Sequence, residues 1–389
     1  MPNFKGVDYY NIENLLTEEE RLIRNTVREF TDKEVLPIIE EYYIKGTFPT
    51  QLVRRMGELG LLGMTLPEEY GGAGVSNVAY GLAMQELERG DSGLRSFASV
   101  QGGLVMYPIF TFGTEEQKKR YLHRLATGDL IGCFGLTEPD FGSNPGGMLT
   151  KAEKTEDGFI LNGTKMWITN GSIADVAIVW AKLDGKVRGF IVDTNSEGFS
   201  SVLMTGKHSL RASITSELIM EDVFVPESAL LPKTTGLRSP LMCLNQARYS
   251  IAWGVVGSMM ACYDSSLEYS KTRIQFGKPI ASYQLTQLKL VNMLTELTKA
   301  QLLVLQLGRL KDSGEVKHTQ ISMAKRNNVE QALKIAQDAR ELHGANGILA
   351  EYPVMRHLNN LQTVKTYEGT HEMHTLIIGE DITGIPAFN

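Results

Sequence analysis

The sequence predicts a mainly α protein with a β middle domain: a helical N-terminal domain, an antiparallel β-barrel or sandwich, and a C-terminal four-helix bundle. Three observations carry this reading. Apolar residues recur at helical spacing over residues 1–130, the period shortens to two over 131–236, and long helical patterns return over 237–389. A chain of 389 residues has room for two or three domains with ample core.

In the first part, Thr17-Glu18-Glu19-Glu20 forms a capping box ahead of Leu22, Ile23, Val27 and Phe30. Pro37 falls inside the continuing pattern and is expected to kink or end it. A second helix is expected from Thr50 to about Leu59 with Gly60 as its stop. Ser76 caps the next helix. Thr114-Glu115-Glu116-Gln117 opens another that ends before Gly128.

In the second part, Asp157-Gly158 lies between Lys151–Thr155 and Phe159–Asn162, a hairpin signal. Asp184-Gly185-Lys186 plays the same part between Val176–Leu183 and Val187–Val192. Leu218–Met220 and Val223–Val225 read as two further short strands, ended by Pro226. No helical pattern separates them, so antiparallel pairing is expected. In the third part, helices are expected over roughly 241–272, 283–312, 316–345 and 372–382, with a short piece at 354–364. A helix of about 30 residues spans about 45 Å, and such helices pack as antiparallel bundles whose surfaces extend into subunit contacts. The Met-rich run Ile251–Cys262 reads as buried nearly all round, which suits either a homo-oligomer or a large core within one chain.

Composition excludes several classes of function. With 42% hydrophobic and 22% charged residues and a net charge of -6, the chain has no basic footprint for nucleic acid. No run of 18 apolar residues exists to span a membrane. Cys133, Cys243 and Cys262 are widely spaced and odd in number, which predicts a reduced compartment without a disulfide framework. The N-terminus lacks a secretory or transit pattern, so a cytoplasmic protein is expected, or a mitochondrial-matrix one if it is a processed organellar form.

Tempting motifs fail on spacing. Gly72-Ala73-Gly74 lacks the third glycine of a dinucleotide fingerprint and follows a loop. Gly158–Lys165 imitates a P-loop inside a hairpin. His371 and His374 are three residues apart where a zinc helix needs four, so no metal site is expected. Neither Ser99 nor Ser143 has the setting of a serine nucleophile.

Near the C-terminus, Thr366-Tyr367-Glu368-Gly369-Thr370-His371-Glu372 places one carboxylate between an aromatic residue and a glycine, at a break between helical patterns. A carboxylate against an apolar pocket has its pKa raised by desolvation and becomes a base near neutral pH. Four other segments accompany it: Cys133–Pro139 with Gly142-Ser143, Gly163–Asn170, Arg273–Pro279, and His343–Gly347. All five, in this order, resemble the acyl-CoA dehydrogenase family over essentially the whole chain.

The resemblance implies FAD and distributes roles. Backbone amides of Phe134, Leu136 and Thr137, with the Thr137 hydroxyl, meet the polar edge of the flavin. Trp167, Ile168 and Thr169 stack on the ring and approach N5, although the residues alone favour Trp167 as a core aromatic of the β domain. Gly142 and Ser143 face the pyrophosphate and the tail of the thioester; the flanking Asp140-Phe141 and Asn144-Pro145 are bulkier than the family pattern. Arg273, which alone reads as a helix C-terminal cap, is aimed at the FAD diphosphate of a neighbouring subunit, with Phe276 on the adenine and Gln284 nearby. Glu341, Leu342, His343, Gly344, Ala345 and Gly347 form a second clamp, and Thr370 and Glu372 also touch FAD. Glu368 is implied as the base that takes the α-proton.

A narrower resemblance concerns the acyl group. Glu88–Val100, Asn245–Gly254, Leu307–Asp312, Thr366–His374 and Ile382–Ile385 are similar to the glutaryl-CoA dehydrogenase subgroup of the decarboxylating type. It implies that Arg95 binds the distal carboxylate of a five-carbon diacid, arranged by Glu88, Ser96, Ser99 and Tyr367. Ser143, Leu241, Asn245, Arg248 and Gly369 then line the CoA and acyl path. Glutaryl-CoA, an electron-transferring flavoprotein and a homotetramer are implied with it. Read alone, Glu88 and Arg95 are a solvated or weakly paired couple two turns apart on a surface helix. A short- or branched-chain acyl-CoA dehydrogenase, and a helical scaffold without chemistry, remain as alternatives.

Overall fold

The computed structural model describes residues 4–387. Its helical N-terminal part contains α1 (Glu18–Phe30), α2 (Leu36–Lys45), α3 (Gln51–Glu58), α4 (Asn77–Gly90), α5 (Ser92–Ser99), α6 (Tyr107–Phe112) and α7 (Glu115–Thr127). Both expected capping boxes are present, at Thr17/Glu20 and Thr114/Gln117, and the Ser76 hydroxyl accepts from the Ala79 amide. Pro37 does not end the helix: a π-turn over Thr31–Val35 absorbs its missing amide, and α2 resumes with the proline in its first turn.

The middle part is a curled seven-stranded sheet of β1 (Gly132–Gly135), β2 (Lys151–Lys154), β3 (Gly158–Thr169), β4 (Val176–Leu183), β5 (Lys186–Asp193), β6 (Phe199–Leu203) and β7 (Thr215–Pro226). It is not wholly antiparallel. β5 pairs antiparallel with β4 along its full length, so β1 and β2 follow one another in parallel along the other edge of β4. The expected strands at 218–220 and 223–225 are one strand, β7; Asp222 at φ 52° lets the chain kink without ending it. The Asp184-Gly185 turn has both residues at positive φ, as a two-residue hairpin requires.

The C-terminal part comprises α8 (Arg238–Thr272), the small ribbon β8 (Ile274–Gln275) and β9 (Lys278–Pro279), α9 (Gln284–Asp312), α10 (His318–Leu342), α11 (Val354–Thr366) and α12 (His371–Thr383). The Ile251–Met260 stretch of α8 is buried within this one chain, packed between α4 and the bundle helices, so its apolarity needs no second subunit to explain it. Helices α4 and α8 approach closely because glycines face the partner: a Cβ on Gly257 would lie 1.9 Å from the Gln85 carbonyl, and one on Gly81 2.3 Å from the Trp253 ring. This contact brings the end of α4, and with it Glu88, against α8.

Candidate active site

The α4–α5 junction sets the first half of the site. Asp91 breaks the helix in an extended conformation, and its carboxylate caps α5 by accepting from the Gly93 amide at 2.7 Å. The other oxygen accepts from Arg356 at 2.8 Å and Asn360 at 2.9 Å, fastening the turn to α11. Glu88 and Arg95 therefore face the same interior space across the break. Both are 0% exposed, so they are not the solvated surface pair that the residues alone suggested.

Arg95 Nε donates to Glu88 Oε2 at 2.6 Å, and Ser92 donates to Glu88 Oε1 at 2.9 Å. Arg95 Nη2 donates to the Tyr367 hydroxyl, while Nη1 is buried with no partner. Burial opposes the guanidinium charge most strongly, but the Glu88 carboxylate and the Tyr367 hydroxyl together outweigh it and raise the Arg95 pKa. Ser96 is buried beside Arg95 in sequence, and the Ser99 and Ser250 hydroxyls lie 2.9 Å apart. On α8, Gly254 leaves space for the pair, since a Cβ there would sit 2.3 Å from Glu88 Oε2 and 3.0 Å from Arg95 Nε. Gly254→Ala is expected to cost about 1–3 kcal/mol of stability through overpacking. Chemical denaturation of the variant measures this, and an unchanged midpoint would contradict the close packing.

The second half of the site is the link Tyr367–Gly369 between α11 and α12. Glu368 has a φ of 54°, and its carbonyl accepts from Arg248 Nε at 2.8 Å. Its Oε2 is buried without a hydrogen-bond partner. Burial raises the Glu368 pKa above the usual 4.5, against the opposing pull of Arg95, Lys325 and Arg248. The result is a desolvated, uncommitted carboxylate, which is what a carbon base needs. Arg248 Nη1 also donates to Asn245 Oδ1 at 3.2 Å. With half-buried Leu241, these two residues mark successive turns of one face of α8.

The residues assigned to the flavin ring also fall together. A β-bulge between Lys165 and Ile168 turns Trp167 outward at φ 64°, leaving it 63% exposed. The core-aromatic reading of Trp167 is thereby overturned. The same bulge frees the Met166 amide to donate to the Thr137 carbonyl at 2.8 Å, which joins the Phe134–Thr137 segment to the strand beneath Trp167. Lys165, wholly buried, bonds the Leu136 carbonyl at 3.1 Å and Glu138 at 2.9 Å, fixing that segment from below. The Phe134, Leu136 and Ile168 side chains are core, so only their backbone is on offer, whereas Thr137 and Thr169 are half-buried. An exposed indole beside a rigidly held backbone edge fits an isoalloxazine. Gly142 and Ser143 lie on an exposed loop, where the bulk of Phe141 is accommodated by packing on Gly147.

The residues assigned to the other end of FAD form a separate group. Arg273, Leu342, His343, Gly344 and Ala345 line one open cleft of about 250 Å³ with Tyr269. His343 is stacked on Tyr269 with ring centroids 4.5 Å apart and is held by the Ala339 carbonyl at 2.7 Å. Phe276 stands at the tip of the β8–β9 ribbon, 94% exposed, and Gln284 opens α9 on the surface. None of these residues lines the Glu368 site. Glu341 and Gly347 are not in the cleft: Glu341 pairs with Lys289, and Gly347 packs against the Arg340 carbonyl. Thr370 caps α12, and Glu372 is exposed in its first turn.

Sequence reasoning gave no site role to Lys325, His374, Ser250 or Gly254. Lys325 carried a signal, since it sits on the apolar stripe of α10 among Ile321, Ala324 and Val329. His374 is buried with neither ring nitrogen bonded, and burial, then Lys325 and Arg248, push its pKa down to about 3. It is neutral, whereas His371 faces Glu330 at 3.7 Å; the two histidines have different surroundings.

The chain belongs to the acyl-CoA dehydrogenase family. Family profiles for the acyl-CoA dehydrogenase N-terminal, middle and C-terminal domains match residues 17–129, 133–223 and 234–383. Among solved structures, a glutaryl-CoA dehydrogenase from Mycobacterium smegmatis is 54% identical with a TM-score of 0.96, covering 97% of this chain and 98% of that one. A glutaryl-CoA dehydrogenase from the same organism in complex with FADH2 is 51% identical with a TM-score of 0.97, covering 98% and 99%. A probable acyl-CoA dehydrogenase of Bacillus subtilis (strain 168) is 40% identical, covering 94% of this chain and 98% of its own. The short-chain specific acyl-CoA dehydrogenase of Bos taurus is 35% identical, covering 95% and 91%.

Proposed function

We propose that the protein is an FAD-dependent dehydrogenase of glutaryl-CoA that also decarboxylates its product to crotonyl-CoA. The observation that carries this reading is the buried Arg95 with one open Nη1 donor. Arg95 and Arg248, joined by Lys325 when it is protonated below its burial-lowered pKa of about 7, bring up to three buried positive charges to the site, against the negative charges of Glu88 and Glu368. An acyl tail ending in a carboxylate supplies the missing negative charge and the missing acceptor at once. A plain fatty-acyl tail would leave both deficits in place, which is costly in a dry interior.

FAD, when bound, supplies a hydride acceptor for Cβ of the thioester. Trp167 and the Phe134–Thr137 backbone fit its ring, and Arg273 with Leu342–Ala345 fit the adenosine end of a cofactor held by another subunit. Glu368 takes the proton from Cα, and holding acyl chain and base in one desolvated space supplies much of the rate. The Glu368 amide is assigned as a donor to the developing enolate oxygen. Arg95 orients the far carboxylate. The C–C bond to that carboxylate then breaks, CO2 leaves, and its electron pair enters a dienolate. Protonated Glu368 returns the proton to give crotonyl-CoA. Electrons leave to an electron-transferring flavoprotein, the protein works as a homotetramer, and it resides in the cytoplasm, or in the mitochondrial matrix if it is a processed organellar form.

Comparing glutaryl-CoA with butyryl-CoA as reductants of bound flavin tests the substrate assignment. The distal carboxylate is expected to favour glutaryl-CoA by about tenfold or more in kcat/KM, as one charged hydrogen bond of about 1.5–3 kcal/mol allows. A preference for butyryl-CoA would instead indicate a short-chain enzyme in which Arg95 and Glu88 are only a structural pair.

A further inference from the structure

Three consecutive carbonyls of the Tyr367–Gly369 link are held by two buried cations. Lys325 Nζ donates to the Tyr367 and Gly369 carbonyls, each at 2.5 Å, and Arg248 Nε takes the Glu368 carbonyl between them at 2.8 Å. Lys325 comes from the middle of α10 and is 1% exposed. Its hydrogen bonds go to backbone and not to a carboxylate, unlike Lys165, which pairs with Glu138. A neutral amide could donate to two carbonyls at a lower desolvation cost; Asn328, one turn further along α10, serves one carbonyl, that of Ala252, with its side-chain amide. Burial pulls the Lys325 pKa down to about 7 against the upward pull of Glu368, so the group is a cation on the acid side of neutrality, where its charge has a use. The charged and titratable groups around it are Glu368 on the link, Arg248 on α8, Arg95 on α5 and neutral His374 on α12.

We propose that Lys325 is a positioning residue for the Glu368 base. It clamps the chain on both sides of Glu368, keeps that residue in the left-handed region at φ 54°, and sets a positive charge beside its carboxylate. An L-residue is disfavoured there, which the three clamped carbonyls oppose. The inference rests on the base role of Glu368 and not on the identity of the acyl group.

The test uses the FAD-loaded enzyme with whichever acyl-CoA the wild type turns over best, and follows kcat and KM across pH for Lys325→Met, Lys325→Gln and Lys325→Arg. Loss of the cation is expected to move the acid limb of kcat upward by about one pH unit or more. Displacing the carboxylate is expected to lower kcat about tenfold or more, with a smaller change in KM. Lys325→Gln keeps donors without charge and is expected to shift the limb as Lys325→Met does; Lys325→Arg keeps the charge and is expected to leave the limb where the wild type has it. If Lys325→Met does not fold, the Gln and Arg pair still decides the matter. An acid limb that stays fixed in Lys325→Gln, or equal losses in Gln and Arg without any shift, overturns the proposal. An active Glu368→Gln enzyme would instead overturn the base assignment, so the two failures are distinguishable.

Discussion

Glu368→Gln is expected to bind FAD as the wild type does and to lose about 10²–10⁴-fold in turnover, the usual worth of a positioned base. Gln matches the shape of Glu and adds no charge, so the link between α11 and α12 keeps its two clamps. Flavin absorbance of the purified variant reports the bound cofactor, and steady-state turnover reports the chemistry. In the wild type, the pH profile follows from the same group. Burial holds the Glu368 pKa above the usual 4.5, and only the ionised form accepts a proton. Turnover therefore falls as pH drops through that raised value, with an acid limb above the ordinary carboxylate range. Near-normal turnover in Glu368→Gln would remove the residue from the mechanism.

Arg95→Lys is expected to act on specificity. Lysine keeps a positive charge for Glu88, but its single nitrogen cannot reproduce the guanidinium contacts to Glu88 and Tyr367 and still present a donor in the plane where Nη1 lies. The ratio of kcat/KM for glutaryl-CoA to that for butyryl-CoA is expected to fall by about 30-fold or more, the equivalent of some 2 kcal/mol for a disrupted buried charge pair. Truncation to Met is a poorer probe, because it strands the Glu88 charge in the interior and costs about 3–5 kcal/mol of stability. An unchanged ratio in Arg95→Lys would show that the guanidinium does not meet the distal carboxylate.

Much of this architecture was legible because local signals agree with the global fold. The capping boxes at Thr17 and Thr114, the glycine after α7 and the Asp184-Gly185 turn each fix one backbone event, and each occurs where expected. Strand pairing was less legible. The parallel meeting of β1 with β4 joins segments separated by a hairpin and a long loop, and no period in either strand encodes its partner. The bulge that exposes Trp167 has the same character, since it comes from a mismatch with β7, far along the chain. Burial of Glu88 and Arg95 was hidden because their cover comes from α8 and from the link before α12. Charged residues two turns apart look alike on a surface helix and in a core. Lys325 was the clearest missed signal: a cation at a core position of an amphipathic helix needs a partner, and its partners are carbonyls over 40 residues away.

Anaerobic mixing of the FAD-loaded enzyme with glutaryl-CoA, with any released CO2 trapped, tests the central claim most directly. Flavin bleaching accompanied by CO2 and crotonyl-CoA in equal amounts is the predicted result. Oxidised flavin that stays yellow with glutaryl-CoA yet bleaches with butyryl-CoA would contradict it.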